Sequence, residues 1–571
     1  MPVSPYSRLQ PYIHFSYLYQ NKLLMQRLFT IAISLLFLSS LSGQPATSGT
    51  PGENLQRPKL VVGIMVDQMR WDFLYRYYDR FATGGGFKRM LNQGFSCENT
   101  YIPYAPTVTA PGHSSVYTGT VPAIHGITGN LWWDRSLRRN VYCTEDKTVQ
   151  TVGSSSQLGL QSPRNMLVTT ICDELRLATN FQSKVIGVAI KDRGAILPAG
   201  HSANGAYWYD NTNGNWISST YYMTDLPQWA KDFNARKLVD KYYQQGWNTL
   251  YANNTYTQST TDDKPYESKG LGAGFPYDLK KYIGKNYGAI ASTPHGNSFT
   301  FDMAKAALDG EKLGADAITD FLAVSLSSPD YIGHSFGPNS IEQEDDFLRL
   351  DKDLGDFLTF LDSKVGAGQY MVFLTADHGV AHIPGFMKEN KLPGGSFSAG
   401  SLAEPLNQQL KDKYCKDSLV VSDDNYQFTL DDSLVKMSKL NKDEISGFII
   451  DFLTKQPSVA RAFEISKMME TPLNSKIKEM LVNGYYPLRG GDIQVILHSN
   501  WIETYGSGGT THGAWAPYDS HIPLLWFGWG IKAGKTNRET YMTDIAATIG
   551  AMLHIQMPSG NIGKVITEIA K

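Results

Sequence analysis

Continuous runs of apolar residues, many of them β-branched, recur along the chain between longer polar segments. This pattern is typical of strands that are buried on both faces of a parallel sheet. The runs that predict such strands are residues 60–66, 184–190, 321–326, 370–375 and 493–497. Between two of them, apolar residues recur at helical spacing among charges and predict an amphipathic helix; they are Phe347, Leu350, Leu354, Phe357 and Leu361. Strands alternating with helices predict an α/β fold, with a mostly parallel central sheet covered by helices on both faces.

Two segments interrupt this alternation. Residues 195–300 are rich in Tyr, Trp, Asn and Gly, and residues 384–490 combine Gly-Ser loops with short helical patterns. We interpret both as insertions into a single domain of residues 44–571, and the aromatic residues of the first as packing residues rather than a substrate box.

The first 43 residues are predicted to be an N-terminal extension and a signal peptide. Met25-Gln26-Arg27 precedes an apolar run at 28–41, and small residues follow up to Gly43. A short basic start, an apolar run and a small-residue exit describe a bacterial secretory signal. The alternative is an uncleaved membrane anchor, but the run is shorter than the about 20 residues that span a bilayer. We therefore expect a periplasmic or secreted protein, with Met25 as its start and no membrane contact after signal cleavage.

Charge and cysteine content exclude several classes of function. The 571 residues carry a formal net charge of -2, so no basic surface points to nucleic acid as a partner. The four cysteines, none in a CxxC pair, make a thiolate metal site improbable. In an oxidising compartment they could form two disulfides in three ways, of which a Cys97–Cys143 bridge is preferred; the others are Cys172 and Cys415.

Carboxylates and imidazoles follow the predicted strands. Because ligands bind outside the carboxyl ends of parallel strands, these side chains are expected at one rim of the sheet. Three carboxylates and three imidazoles suit two zinc ions, each with three protein ligands and one open position. Each residue alone would be interpreted as a cap or turn residue, and only the joint pattern predicts a metal centre. The candidates are Asp67, Asp330, His334, Asp377, His378 and His512.

Thr109 is the candidate nucleophile. It is predicted to begin a helix, with Pro111 in the first turn and Gly119 after the last residue. A helix N-terminus attracts phosphate, and a threonine hydroxyl needs metal coordination to become a good nucleophile. Taken alone, Thr109 could equally be a helix cap.

The segments VDQMR, TVTAPGHSSVYTG, DYIGH, TADHG and TTHG together resemble the alkaline phosphatase superfamily. The closest likeness is to monomeric bacterial alkaline phosphatases with a threonine nucleophile, and it covers essentially the whole mature chain. The resemblance implies an alkaline phosphatase-like catalytic domain and a monomer. It further implies that Asp330, His334 and His512 bind the zinc that activates water and holds the leaving oxygen. The zinc that activates Thr109 would be bound by Asp67, Asp377 and His378.

Three further residues match the phosphate-binding groups of those enzymes. Asn130 in GITGN can donate to a phosphate oxygen, and Lys191 and Arg193 in IKDRGA can stabilise a transferring phosphoryl group. The alternative for these two is a solvated turn. In the resemblance they replace the magnesium site of the serine-dependent alkaline phosphatases, so no obligatory Mg²⁺ is expected.

The predicted function is hydrolysis of small phosphate monoesters by a two-zinc enzyme through a phosphothreonine. The alternative is a nucleotide pyrophosphatase/phosphodiesterase with the same metal site. A sulfatase is disfavoured because no Cys/Ser-x-Pro-x-Arg segment occurs at the nucleophile, and a non-catalytic zinc-stabilised surface protein because nucleophile and phosphate-binding residues are both present. The remaining conspicuous histidines are set aside for lack of a complementary set; they are His113, His125, His382, His498 and His521.

Overall fold

The computed structural model describes residues 55–504 and 508–569, so the predicted signal peptide lies outside the described residues. The strands are β1 (Leu60–Val66), β2 (Phe95–Cys97), β3 (Thr100–Tyr101), β4 (Leu131–Asp134), β5 (Arg139–Tyr142), β6 (Thr151–Val152), β7 (Val185–Ala189), β8 (Gly205–Asp210), β9 (Asn215–Ser219), β10 (Asp320–Leu326), β11 (Tyr370–Thr375), β12 (Gly395–Phe397), β13 (Val420–Ser422), β14 (Gln427–Leu430), β15 (Val459–Glu464), β16 (Ile493–Leu497), β17 (Trp501–Glu503), β18 (His521–Ile522), β19 (Leu524–Gly528), β20 (Gly534–Thr536) and β21 (Thr540–Tyr541).

The α-helices lie mostly between these strands. They are α1 (Phe73–Arg76), α2 (Gly86–Gln93), α3 (Thr109–Thr118), α4 (Pro122–His125), α5 (Ile171–Ala178), α6 (Asp192–Ala199), α7 (Gln228–Ala235), α8 (Leu238–Gln245), α9 (His295–Glu311), α10 (Ser328–Phe336), α11 (Ile341–Leu361), α12 (Pro384–Glu389), α13 (Ala399–Tyr414), α14 (Asp432–Met437), α15 (Lys442–Thr454), α16 (Ser475–Gly484), α17 (Pro517–Ser520) and α18 (Asp544–Leu553). Over the described ranges, no helix combines the length and apolar character that a membrane crossing requires.

A ten-stranded sheet in the order β20-β2-β19-β11-β1-β10-β7-β8-β9-β6 forms the centre of the protein. The pairs that join β11, β1, β10, β7 and β8 are parallel, and β19 runs antiparallel to β11. Every residue of β1, β10 and β11 is buried, as their unbroken hydrophobicity predicts. The predicted α/β fold with a mostly parallel sheet is confirmed.

The interpretation of residues 493–497 as a strand of the parallel sheet is wrong. This segment forms β16, which pairs antiparallel with β14 and β15 in a separate four-stranded sheet. Ile493 and Val495 pack in one hydrophobic cluster and Ile496 in another. Because both faces of β16 are covered, apolar residues occupy every position of the strand except Gln494, although its neighbours are antiparallel.

The two predicted insertions differ in their relation to the sheet. Residues 195–300 include β8 and β9, which belong to the central sheet. Aromatic residues of this segment pack on one another and on α9, with ring centroids 5.1 Å apart for Trp216 and Phe299 and 5.2 Å apart for Trp247 and Tyr277. They are packing residues, as predicted. Residues 384–490 instead contribute three strands to the smaller antiparallel sheet.

The preferred Cys97–Cys143 disulfide is wrong, since all four cysteines are free. Cys97 ends β2 and is buried in the main core, whereas Cys143 is buried in a separate cluster with Ile127 and Trp132. Burial raises the pKa of both thiols to about 12. Both cysteines therefore act as small apolar core residues.

Candidate active site

Three carboxylates meet where parallel strands end. Strands β1, β10 and β11 are neighbours, so their carboxyl ends lie at the same edge of the sheet. Asp67 follows β1, Asp330 lies in the first turn of α10 after β10, and Asp377 follows β11. Segments that are far apart in sequence thus bring three acidic groups to one place.

The first group of possible metal ligands is Asp330, His334 and His512, whose ligand atoms all lie within 4.8 Å of one another. Asp330 and His334 are one turn apart on α10, which puts Nε2 of His334 3.1 Å from Oδ1 of Asp330. Nε2 of His512 lies 3.6 Å from the same oxygen.

Backbone carbonyls orient both imidazoles of this group. Nδ1 of His334 lies 2.8 Å from the carbonyl oxygen of Thr510, and Nδ1 of His512 lies 2.7 Å from that of Thr107. A carbonyl oxygen only accepts hydrogen bonds, so each Nδ1 carries the proton and each Nε2 presents its lone pair. Burial, together with the nearby His378 and His334, lowers the pKa of His512 well below its ordinary value. The ring is therefore neutral, as a metal ligand must be.

The second group consists of Asp67, Asp377 and His378, again with ligand atoms within 4.8 Å of one another. Nε2 of His378 lies 3.5 Å from Oδ1 of Asp67 and 3.5 Å from Oδ2 of Asp377, while its Nδ1 faces the carbonyl oxygen of Gly379 at 3.0 Å. The rings of His378 and His512 stack with centroids 3.5 Å apart, so the two groups adjoin.

The electrostatics of the second group favour a bound cation. Oδ1 of Asp67 is buried and has no hydrogen-bond partner within the part of the chain that the structure describes. Burial and the carboxylate of Asp377 raise the pKa of Asp67 well above its ordinary value. The other oxygen of Asp67, Oδ2, accepts from Lys191, but a buried carboxylate oxygen that has no partner of its own is costly and favours a cation beside it. The residues present therefore fit metal binding, with nitrogen and oxygen ligands in both groups.

Lys191 joins the two groups. Its Nζ donates to Oδ2 of Asp67 and to Oδ2 of Asp330, both at 2.6 Å, and its side chain is 2% exposed. Burial alone would lower the pKa of Lys191, but the carboxylates of Asp330 and Asp67 raise it above its ordinary value. Lys191 thus provides a permanent positive charge between the two groups, and the solvated-turn interpretation is wrong for this residue.

Thr109 is the first residue of α3, as predicted, and Val108 precedes it in an extended conformation. Its Oγ1 lies 3.4 Å from Nε2 of His378, and the residue is buried. The helix comes so close to β11 that a Cβ on Gly112 would lie 2.5 Å from Cβ of Asp377. Gly119 ends the helix with φ of 64°, a conformation that favours glycine. Pro111 has no N–H, and the N–H groups of Ala110 and Gly112 donate to Asn130 Oδ1 and to the carbonyl oxygen of Val108. Among the described contacts, the backbone N–H of Thr109 is therefore the first-turn donor that stays available beside the second ligand group.

Asn130 and Arg193 have different partners, and the described hydrogen bonds connect Asn130, but not Arg193, to the helix that begins at Thr109. Oδ1 of Asn130 accepts a hydrogen bond of 2.9 Å from the backbone N–H of Ala110, so the amide presents Nδ2 as a donor next to Thr109. Arg193 lies in the first turn of α6 and donates from Nη1 to Oη of Tyr142 at 3.0 Å. Tyr142 in turn donates to Asp192 at 2.7 Å, which fixes the Lys-Asp-Arg segment.

Two residues that the sequence analysis did not select contact the ligand groups. His113 was set aside, yet its Nδ1 lies 2.9 Å from the carbonyl oxygen of Thr109 and 3.3 Å from Oδ2 of Asp377. Its position four residues after Thr109 puts both on the same face of α3, a spacing that could have indicated this contact. Gln68 donates from Nε2 to Oδ1 of Asp330 at 2.6 Å and from its backbone N–H to Oδ1 of Asp377 at 3.1 Å. A lone glutamine after a strand has no comparable sequence signal.

An open cleft of about 410 Å³ leads to this site. Asn130, His334 and His512 line its inner part, and Val108 precedes Thr109 at its edge. The cleft therefore gives access to the first ligand group, through His334 and His512, and to Asn130.

Comparisons with known proteins agree with this geometry. A family model described as type I phosphodiesterase / nucleotide pyrophosphatase matches residues 61–435. The chain is 54% identical to alkaline phosphatase PhoV of Synechococcus elongatus, over 95% of this chain and 100% of that protein. It is 49% identical to alkaline phosphatase PafA of Elizabethkingia meningoseptica, over 94% and 98%. A third relative, from Myroides odoratus, is 52% identical over 90% and 95% and carries the name calcium-transporting ATPase.

A solved structure shows the same architecture. The crystal structure of wild-type alkaline phosphatase PafA superposes with a TM-score of 0.88 at 50% identity, covering 90% of this chain and 99% of that one. Family model, relatives and structure agree over most of the chain. The protein therefore belongs to the alkaline phosphatase superfamily, among the bacterial alkaline phosphatases related to PhoV and PafA.

Proposed function

We propose that this protein is an alkaline phosphatase that hydrolyses phosphate monoesters through a phosphothreonine at Thr109. The observation that carries the proposal is the placement of the Thr109 hydroxyl at a helix N-terminus, 3.4 Å from Nε2 of His378, beside two adjoining groups of metal ligands. The nucleophile, the two candidate cation sites and the N-terminus of α3 then lie within one site.

Each ligand group would hold one zinc ion. Three nitrogen and oxygen ligands with an open position suit zinc, and Lys191 supplies the positive charge that a third, magnesium site would otherwise bring. When bound, the two ions would polarise phosphoryl oxygens and lower the pKa of a bound hydroxyl or water. No obligatory Mg²⁺ is proposed.

The chain's own residues perform two successive displacements. Oγ1 of Thr109 attacks phosphorus, the bond from phosphorus to the ester oxygen breaks, and the alcohol leaves with a proton. Water then attacks the phosphothreonine from the side that the alcohol left, which restores Thr109 and releases phosphate. Nδ2 of Asn130, the backbone N–H of Thr109 at the start of α3 and the cations of Lys191 and Arg193 stabilise the non-bridging oxygens.

A second PafA structure supports these roles. In that variant a threonine, an asparagine, a lysine and an arginine are replaced together. The same four residue types are proposed here at Thr109, Asn130, Lys191 and Arg193. The parallel supports treating them as one nucleophile and phosphate-binding unit.

Charge separates this proposal from a phosphodiesterase, the activity in the description of the matching family model. A monoester brings two negative charges on its non-bridging oxygens, and a diester brings one. A lysine and an arginine at those oxygens favour the monoester. The Myroides relative is named an ATPase, so ATP is included in the test as a third substrate. Its terminal phosphoryl group also carries two negative charges.

The test compares kcat/KM for an aryl phosphate monoester, the matching diester, ATP and the aryl sulfate on one zinc-loaded sample. We expect the monoester to be turned over fastest, by at least about 10²-fold over the diester, if each phosphate-binding group contributes as oxyanion donors commonly do. Thr109→Ala serves as the inactive control. Faster turnover of the diester would replace the proposal by a phosphodiesterase activity.

We also propose secretion or periplasmic location, by cleavage after the apolar run at 28–41. Sequencing the N-terminus of the protein recovered from the periplasm or medium of a bacterial host tests this. We further propose that the protein is a monomer, which light scattering tests. Residues 195–300 and 384–490 are proposed to be insertions into one catalytic domain.

A further inference from the structure

The cleft that leads to the catalytic site has an acidic wall. Asp423, Asp424 and Glu503, here called the acidic wall, line the same cleft as Asn130 and His512. Among the described residues that line this cleft, none is a lysine or an arginine. The charged side chains on the described lining of this cleft, apart from its histidines, are therefore all carboxylates.

The backbone fixes the acidic wall relative to the catalytic residues. A turn at Asp424–Tyr426 joins β13 to β14, with Asn425 in the left-handed region at φ of 60°. Nδ2 of Asn425 donates to the carbonyl oxygen of Leu131 at 2.9 Å, directly after the phosphate-binding Asn130. Oη of Tyr426 donates to the carbonyl oxygen of His512 at 3.4 Å. The turn is therefore attached on both sides of the site.

Packing beneath the turn strengthens this attachment. A Cβ on Gly513 would lie 2.9 Å from the ring of Tyr426, so the aromatic ring lies directly on the loop that carries His512. Nε2 of Gln494 donates to the carbonyl oxygen of Tyr426 at 3.1 Å. These contacts hold the turn in a fixed position with respect to the loop that carries His512.

The carboxylates of the wall lie close to one another. Oγ of Ser422 donates to Oδ2 of Asp424 at 2.7 Å, which holds that carboxylate in place. Partial burial and the charge of Asp424 raise the pKa of Asp423. Glu503 ends β17 and contributes the third carboxylate to the lining. The wall therefore contributes carboxylates to the same cleft as His334 and His512, two ligands of the zinc that would hold the leaving oxygen.

We propose that the acidic wall selects substrates by the charge of the leaving alcohol, favouring phosphate monoesters of amino or quaternary ammonium alcohols over those of anionic alcohols. This inference rests on the proposed monoesterase activity. A positive group two or three atoms beyond the ester oxygen would approach the wall, whereas a carboxylate there would be repelled. Esters of neutral alcohols would have a preference between those of the cationic and the anionic esters.

The test uses three small substrates that differ in charge: phosphocholine, ethyl phosphate and carboxymethyl phosphate. Each is assayed by phosphate release with the zinc-loaded wild type and with the Asp423→Asn/Asp424→Asn double variant. Asparagine at both positions keeps the side-chain size and an acceptor for Ser422. Because each substrate is compared between proteins, differences in intrinsic reactivity cancel.

The matched control is Asp412→Asn/Asp417→Asn, which removes the same charge from exposed positions of the same predicted insertion. We expect the ratio of kcat/KM for phosphocholine to that for carboxymethyl phosphate to fall about tenfold in the wall variant. Each of the two partly screened carboxylates attracts the cationic substrate and repels the anionic one, so its removal lowers the ratio in both ways. The ratio should stay unchanged in the control. In the wild type it should also shrink with added salt, since the cleft is open to solvent.

The outcomes separate this inference from the proposed function. The wild type could hydrolyse all three substrates while the wall variant changes kcat/KM for all of them by the same factor. The wall would then have a structural role, and the inference would be wrong. A wild type with no activity on ethyl phosphate, or on the aryl monoester, would instead contradict the proposed function. An equal loss of discrimination in the control variant would assign the effect to net charge and also overturn the inference.

Discussion

Replacing Lys191 by alanine or methionine removes an ammonium that contacts both groups of metal ligands. Its Nζ lies 2.6 Å from Asp67 and 2.6 Å from Asp330, and both carboxylates are buried. The substitution therefore has two separate consequences. It leaves two carboxylates without their partner in the metal-free protein, and it removes a cation from the phosphate-binding site.

The size of each consequence follows from the burial of the contacts. Breaking a buried ion pair by removing one partner costs about 3–5 kcal/mol, because the other charge stays buried and uncompensated. Bound metal ions would compensate the same carboxylates, so the loss should be smaller in the metal-loaded protein. Removal of one preorganised donor from a transition-state site costs about 10²–10³ in rate. Methionine keeps most of the apolar stem, so Lys191→Met separates lost charge from lost packing.

Thermal unfolding of metal-free and zinc-loaded samples, with kcat/KM for a matched aryl monoester and diester, measures both consequences. We expect a lower Tm that zinc partly restores, and a larger fall for the monoester than for the diester. Lys231→Ala is the control, because its partner Asp225 is an exposed residue away from the site. Equal losses for monoester and diester would refute the selective contact with phosphate, and an unchanged Tm in the metal-free protein would refute the bridging role.

Four further predictions concern the nucleophile, the metals, His113 and a buried glutamate. Thr109→Ala should abolish turnover without loss of bound metal, Thr109→Ser should keep partial activity, and acid-quenched mass spectrometry should find phosphate on Thr109 and nowhere else. Chelation should abolish activity; zinc should restore it, and recovery with magnesium alone would contradict the zinc assignment. His113→Ala should lower metal affinity about 10–100-fold and should change kcat more than it changes KM, because His113 positions Asp377 and the Thr109 carbonyl rather than touching substrate. Calorimetry of zinc binding measures the affinity, and an unchanged affinity would count against this role. Burial raises the pKa of Glu342 to about 8 although Tyr277 donates a hydrogen bond to it. The folded protein therefore keeps this proton at pH values where the unfolded chain releases it, so the free energy of unfolding falls as pH rises from about 5 to 8. Glu342→Gln should therefore raise Tm at pH 8 but not at pH 5.

The sequence by itself determined the elements whose cause is local. The unbroken apolar runs at 60–66 and 370–375 could only be buried strands, and Thr109, Pro111 and Gly119 mark the start, first turn and end of a helix. The aspartates and histidines after those strands predicted a metal centre at one edge, because parallel strands present their carboxyl ends there. Their division into two ligand groups came from the resemblance to the alkaline phosphatase superfamily. The structure brings the members of each group together.

Only the tertiary structure decided the features that depend on contacts between distant residues. The run at 493–497 has the hydrophobicity of a parallel strand, but its partners are antiparallel, and residue pattern reports burial rather than the direction of the neighbour. The cysteines are equally uninformative, since a bridge depends on the distance between backbone segments that spacing in sequence does not define. The same holds for the Lys191 bridge, the contacts of His113 and Gln68, and the acidic wall. Each is a geometric relation between segments that only folding brings together.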